Sequence, residues 1–159
     1  MESSSGSEAD ALRIALRYLA YRSRTEAEIR RYLRRRGHAP EVTDSVVEKL
    51  RTLSYLNDES FARGWALARA QDRGFGPRRI EQELRNKGVD QPLIRIVLRE
   101  TFDQVDEGER AKRLLTKHFK GDDLGEPKIA RRAAAFLQRR GYSGKVVFDL
   151  LRYSMEDDC

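Results

Sequence analysis

The stretch Thr25-Glu-Ala-Glu-Ile-Arg-Arg-Tyr-Leu-Arg-Arg-Arg-Gly37 reads as one complete helix with its own start and stop signals. Thr25 and Glu28 have the spacing of a capping box, in which a hydroxyl and a carboxylate each satisfy a free amide of the first turn. Ile29 and Leu33 are four apart and share a face, and Gly37 can enter the left-handed region that ends a helix at low steric cost. The closing pattern returns twice: a basic residue precedes a glycine at Arg36-Gly37, Lys87-Gly88 and Arg140-Gly141, at intervals of 51 and 53 residues. Four residues before each glycine stands Leu33, Leu84 or Leu137, and eight before stands Ile29, Ile80 or Ala133. Val42, Val46 and Val47 follow the first glycine, Leu93, Val97 and Leu98 the second, and Val146, Leu150 and Leu151 the third.

A period near 50 residues, with apolar positions at helical spacing and no strand alternation, predicts an all-α chain of three tandem three-helix repeats in an elongated array. The expected division is a disordered tail over 1–9, repeats over 10–56, 57–105 and 106–154, and an acidic C-terminal tail over 155–159. The first helix should run from near Asp10 to Tyr21, with Leu12, Leu16 and Leu19 on one side. Asn57, Asp90 and Ser143 read as N-caps, and the third copy starts near Glu109. The last helix ends near Tyr153. All four prolines, Pro40, Pro77, Pro92 and Pro127, fall at helix starts, where the missing amide does no harm.

The chain carries 32 basic and 26 acidic residues, a net charge of +6, and the surplus is concentrated in residues 9–56 at +5. Such a field attracts nucleic acid or an acidic protein surface, although arginine richness can also reflect genomic base composition alone. The lone Cys159 allows no disulfide within the chain, which suits a reducing, cytoplasmic setting. No stretch has the length and apolarity of a membrane span. A monomer without cofactor is expected.

On the middle helix of the first repeat, Arg30 with Arg34 and Arg31 with Arg35 form two rows of like charge. Like charges at that spacing cost a few tenths of a kcal/mol in an isolated helix, which phosphates or carboxylates of a partner would offset. Arg78, Arg79 and Arg85, then Arg131, Arg132 and Arg139, keep part of the pattern in the other repeats. These ten arginines are the candidate contacts to nucleic acid or another polyanionic partner, read against a solvated face relieved by Glu26, Glu28, Glu81 and Glu83. Ile29, Leu33, Phe61, Trp65, Ile80, Leu84 and Leu137 are the expected core, and Gly37, Gly88 and Gly141 the helix stops. Trp65, Phe61 and Tyr55 read as core in preference to a base-stacking platform; Tyr18, Tyr21 and Tyr32 should be half exposed. His38 and His118 stand 80 residues apart with no ligand cluster around either, and no phosphate-binding glycine loop is present, so neither an enzyme nor a metal site is expected.

Tyr55-Leu-Asn-Asp-Glu-Ser-Phe-Ala-Arg-Gly-Trp65, with Gly76-Pro-Arg-Arg-Ile80 and Glu83-Leu-Arg-Asn-Lys-Gly-Val89, closely resembles the central signature of the RecX family, bacterial regulators of the RecA recombinase. Arg24-Thr-Glu-Ala-Glu-Ile29 with Leu33-Arg-Arg-Arg-Gly37, and Phe136-Leu-Gln-Arg-Arg-Gly141, fit the flanking repeats of that family. The resemblance implies a curved, elongated array that lodges in the groove of the RecA filament on single-stranded DNA. It further implies inhibition of strand exchange, ATP hydrolysis and co-protease action. Two other readings remain open at this point: a helix-turn-helix-like DNA-binding protein, and a helical-repeat scaffold for an acidic protein partner.

Overall fold

The computed structural model describes residues 3–156, and the side chains of 7–152; among these the chain forms nine helices and no strand. They are α1 (Ser3–Tyr21), α2 (Glu26–Arg35), α3 (Pro40–Thr52), α4 (Asp58–Asp72), α5 (Pro77–Asn86), α6 (Gln91–Gln104), α7 (Glu107–His118), α8 (Pro127–Arg139) and α9 (Gly144–Glu156). Local chemistry sets most boundaries. Thr25 Oγ1 accepts from the Glu28 amide at 3.1 Å while Glu28 accepts from the Thr25 amide at 3.2 Å. Asn57 accepts from the Ser60 amide, Asp106 from the Glu109 amide, and Ser143 from the Val146 amide. Asp90 occupies the N-cap of α6 without a side-chain bond. There Pro92 in the first turn has no amide to satisfy.

The three middle helices, α2, α5 and α8, end alike. The amides of Gly37, Gly88 and Gly141 bond to the carbonyls of Arg34, Arg85 and Gln138, and the next amides reach back to Leu33, Leu84 and Leu137. This is the Schellman arrangement, which needs a left-handed residue at the glycine; the φ values are +85°, +80° and +90°.

Extensive helix packing occurs only within each group of three, and three separate apolar clusters result. Ile29, Leu33, Ile80, Leu84 and Leu137 are fully buried within these clusters. The accessible surface is 10409 Å², where a compact chain of this mass would expose about 8,200 Å². That excess is what three small cores in a row require.

Between units the contacts run end to end along the middle helices. Thr25 Oγ1, at the start of α2, donates to Lys87 O at the end of α5 at 2.5 Å, and the Glu26 amide donates to Asp58 at 2.9 Å. At the start of α5 the amides of Gly76 and Arg78 donate to Arg140 O at 2.7 Å and Gly141 O at 2.9 Å, beyond the end of α8. Each positive helix end therefore meets a negative one, so the two junctions satisfy orphan amides and carbonyls together. Glycine permits the close approach: a Cβ on Gly88 would lie 2.2 Å from the Ala27 Cβ.

Several expectations need correction. α1 begins at Ser3 rather than near Asp10, so the backbone over residues 3–9 is helical and not a disordered tail. Glu8 bonds Ser45 Oγ and Lys49 Nζ on α3, both at 2.7 Å, which fastens a turn lying upstream of the apolar stripe. α7 starts at Glu107, two residues before the expected Glu109, and α9 continues past Tyr153 to Glu156. Residues 157–159 of the expected acidic tail, with Cys159, lie outside the described residues, as do Met1 and Glu2. On α4 the fully buried stripe is Ala62, Ala66 and Ala70, and Phe61 and Trp65 pack only partly buried against it. α4 lies close to α6, and methyl groups fit that closeness where rings would not. Tyr55 is exposed, not core, and Tyr21 is 82% exposed, not half.

Candidate polyanion interface

Folding sorts the ten candidate arginines into two sets. Arg30 is committed within the first unit: it pairs with Asp44 on α3, and with Glu26 one turn earlier at 3.3 Å. Glu26 also receives Arg51 at 2.7 Å. Burial alone would raise the Glu26 pKa, but bonds from Arg51 and Arg30 outweigh it and hold the carboxyl below the usual range. Arg85 pairs with Glu81 at 2.8 Å, and Arg79 donates to Arg139 O at 3.3 Å while lying over the Phe75 ring. Arg31, Arg34 and Arg35 on α2, Arg78 on α5, and Arg131, Arg132 and Arg139 on α8 are exposed, and their guanidinium groups have no ion pair or hydrogen bond among the described residues. Each middle helix thus presents cations whose charge the fold leaves uncompensated.

The aromatic residues do not form an open stacking platform at Trp65. Its indole Nε1 donates to Glu83 at 3.1 Å, and Arg69 and Lys87 lie over the ring at 4.2 and 4.6 Å. Tyr18 and Tyr32 stack at 3.8 Å with Arg24 and Arg36 against their rings, closing a second aromatic group internally.

A basic cleft at the junction of the second and third units was not legible beforehand. It has a volume of about 820 Å³ and brings Arg73, Arg79, Lys117, His118, Arg139 and Arg140 together. Only Arg79 and Arg139 belong to the charge pattern of the middle helices. The sequence signal for Arg73 and Arg140 is a basic residue, glycine and aromatic residue at Arg73-Gly-Phe75 and again at Arg140-Gly-Tyr142, a pattern that does not include Lys117 or His118. Their meeting depends on contacts such as Tyr142 OH donating to Gly74 O at 2.8 Å, across 68 residues of chain. No group of three or more His, Cys, Asp or Glu side chains among the described residues could hold a metal ion, and no described helix is long and apolar enough to cross a membrane.

Comparison with known proteins points one way. The family model described as the first three-helix domain of RecX matches residues 11–50, and that of the second three-helix domain matches residues 57–98. The Regulatory protein RecX of Mycolicibacterium vanbaalenii is 34% identical over 160 aligned residues, covering 96% of this chain and 85% of the relative. That of Trichlorobacter lovleyi is 38% identical over 143, covering 89% and 93%. The crystal structure of RecX from Lactobacillus salivarius superposes with a TM-score of 0.77 at 20% identity over 96% of this chain and 98% of that one, a likeness of fold. A second crystal structure of a regulatory protein RecX gives 0.77 at 26% identity, over 94% of this chain and 73% of that one.

Proposed function

This chain belongs to the RecX family of regulatory proteins, and on that premise we propose that it lodges in the groove of the RecA filament on single-stranded DNA. There it inhibits recombinase, ATPase and co-protease activities by blocking or destabilising the filament. The observation that carries this reading is the end-to-end line of α8, α5 and α2, each with at least one arginine that no carboxylate among the described residues pairs with. A filament repeats its surface, and weak contacts on one stiff body gain by effective concentration when they engage successive protomers. Inhibition then requires only that the rod bind one filament geometry better than another.

The test is RecA's single-strand-dependent ATP hydrolysis with increasing amounts of this protein. Inhibition below one molecule per protomer is expected. Replacing Arg31, Arg34 and Arg35 together by glutamine should weaken it, while Arg30→Gln, which removes an internal pair, should leave it largely in place. No inhibition at equimolar protein, with helicity intact by circular dichroism, would overturn the proposal.

A further inference from the structure

The cleft between the second and third units has a composition that separates it from the rest of the basic surface. Its lining holds five permanent cations, Arg73, Arg79, Lys117, Arg139 and Arg140, and one carboxylate, Asp72. Two of the five are fixed without being neutralised. Arg140 donates to Arg73 O at 2.9 Å and lies over the Phe136 ring, and Arg79 donates to Arg139 O and lies over Phe75 at 3.8 Å. Carbonyls and rings thus orient these guanidinium groups but leave their charge in place. Arg79 has an acidic neighbour in Glu83, yet at 3.9 Å, and that carboxylate is shared with Arg69 and the Trp65 indole. The side chains of Arg73, Lys117 and Arg139 have no hydrogen bond or ion pair among the described residues.

Beside the cations stands an aromatic surface. His118 stacks on Phe136 at 4.2 Å and 15° and is otherwise exposed, braced edge-on by Phe119 at 5.0 Å. The space falls within the range that accommodates a ligand the size of a nucleotide. Guanidinium and ammonium groups suit phosphate oxygens, and an exposed ring suits a nucleobase. An acidic peptide would use the cations and leave the ring idle.

We propose that this cleft binds a nucleotide, its phosphates held by Arg73, Lys117 and Arg139 and its base laid on His118. Its walls come from two units, so the ligand bridges their junction. The shared chemistry is phosphate plus base, supplied either by a free nucleoside triphosphate or by one residue of a single strand. The inference does not rest on the filament reading, and its test contains no recombinase.

The experiment follows binding of a fluorescent oligothymidine to the full chain by anisotropy. ATP, an abasic strand of the same length and polyglutamate serve as competitors. The paired substitution Lys117→Gln with Arg139→Gln should weaken binding of the strand and flatten the slope of log affinity against log salt by about 1.4, the loss of two single-strand phosphate contacts. His118→Ala should weaken oligothymidine by roughly 5- to 150-fold, the worth of one stacked base, and leave the abasic strand unchanged. Displacement by ATP at lower concentration than unlabelled strand assigns the site to free nucleotide; the reverse order assigns it to the strand. Either order supports the proposal when the variants behave as stated. It is overturned if neither the labelled oligothymidine nor a fluorescent ATP analogue binds, or by binding that both variants leave unaltered with helicity intact. Polyglutamate competing as well as oligothymidine, with His118→Ala silent, would also overturn it in favour of an acidic protein segment.

Discussion

Replacing Gly141 by alanine should open the junction between the second and third units while sparing both cores. Gly141 has φ +90°, and a Cβ there would stand 2.3 Å from both the amide nitrogen and the Cβ of Arg79, and 2.8 Å from its Cα. Backbone cannot swing aside as a flexible side chain can, so relief requires α5 to part from the end of α8. That separation breaks Gly76 N to Arg140 O, Arg78 N to Gly141 O and Tyr142 OH to Gly74 O. At about 1 kcal/mol net per hydrogen bond, the three contribute roughly 3 kcal/mol. Holding alanine in the left-handed region adds about 1–2 kcal/mol. Gly37→Ala isolates the second effect, because Gly37 has φ +85° and nothing within 4 Å of the position a Cβ would take. Urea unfolding should therefore show Gly141→Ala losing about 3 kcal/mol more than Gly37→Ala. Hydrogen exchange should accelerate at the amides of Gly76 and Arg78. Equal losses in the two variants, with those amides still protected, would refute the reasoning.

Three further outcomes are expected. Tyr142→Phe strands the Gly74 carbonyl and should cost about 1–3 kcal/mol by denaturant titration; burial pushes the Tyr142 phenol up to about 12. Because the folded value is the raised one, this contribution is present below the ordinary phenol pKa of about 10 and is lost as pH climbs toward 12, so the Phe variant should show a flatter stability profile there. Burial raises the Asp58 carboxyl, and Glu26 and Asp90 raise it further, against the Glu26 amide and Arg51. A raised folded value means that stability falls as pH rises from the ordinary aspartate range of about 4. Asp58→Asn, which still accepts from the Glu26 amide, should then stabilise the protein at neutral pH and lose that advantage in acid, as read by melting temperature. Ala66→Leu forces a larger side chain into the fully buried stripe of α4 and should cost about 1–3 kcal/mol, whereas Ala68→Leu on its exposed side should change unfolding by less than about 0.5 kcal/mol.

What the sequence by itself determined is what one or two helical turns can encode. The capping box at Thr25 and the glycine stops act through bonds to residues three to five positions away, and the prolines at helix starts through their own fixed φ and missing amide, so their meaning survives without any tertiary context. Leucines at the same offset from each glycine likewise marked buried positions in all three units. The face of α4 was misread because Phe61 and Trp65 carry the louder signal, while Ala62, Ala66 and Ala70 are indifferent until a neighbouring helix comes close. Local spacing offers Glu26 to Arg30 and Glu28 to Arg31, four and three residues away, and so does not settle which arginine is held. Only the fold places Asp44 beside Arg30, and no carboxylate among the described residues within ion-pair distance of Arg31, Arg34 or Arg35. The tertiary structure alone decided the junctions, since Thr25 meets Lys87 and Gly74 meets Tyr142 across 62 and 68 residues. It thereby decided where the cleft lies: charge in a sequence is a count, whereas a field needs positions in space.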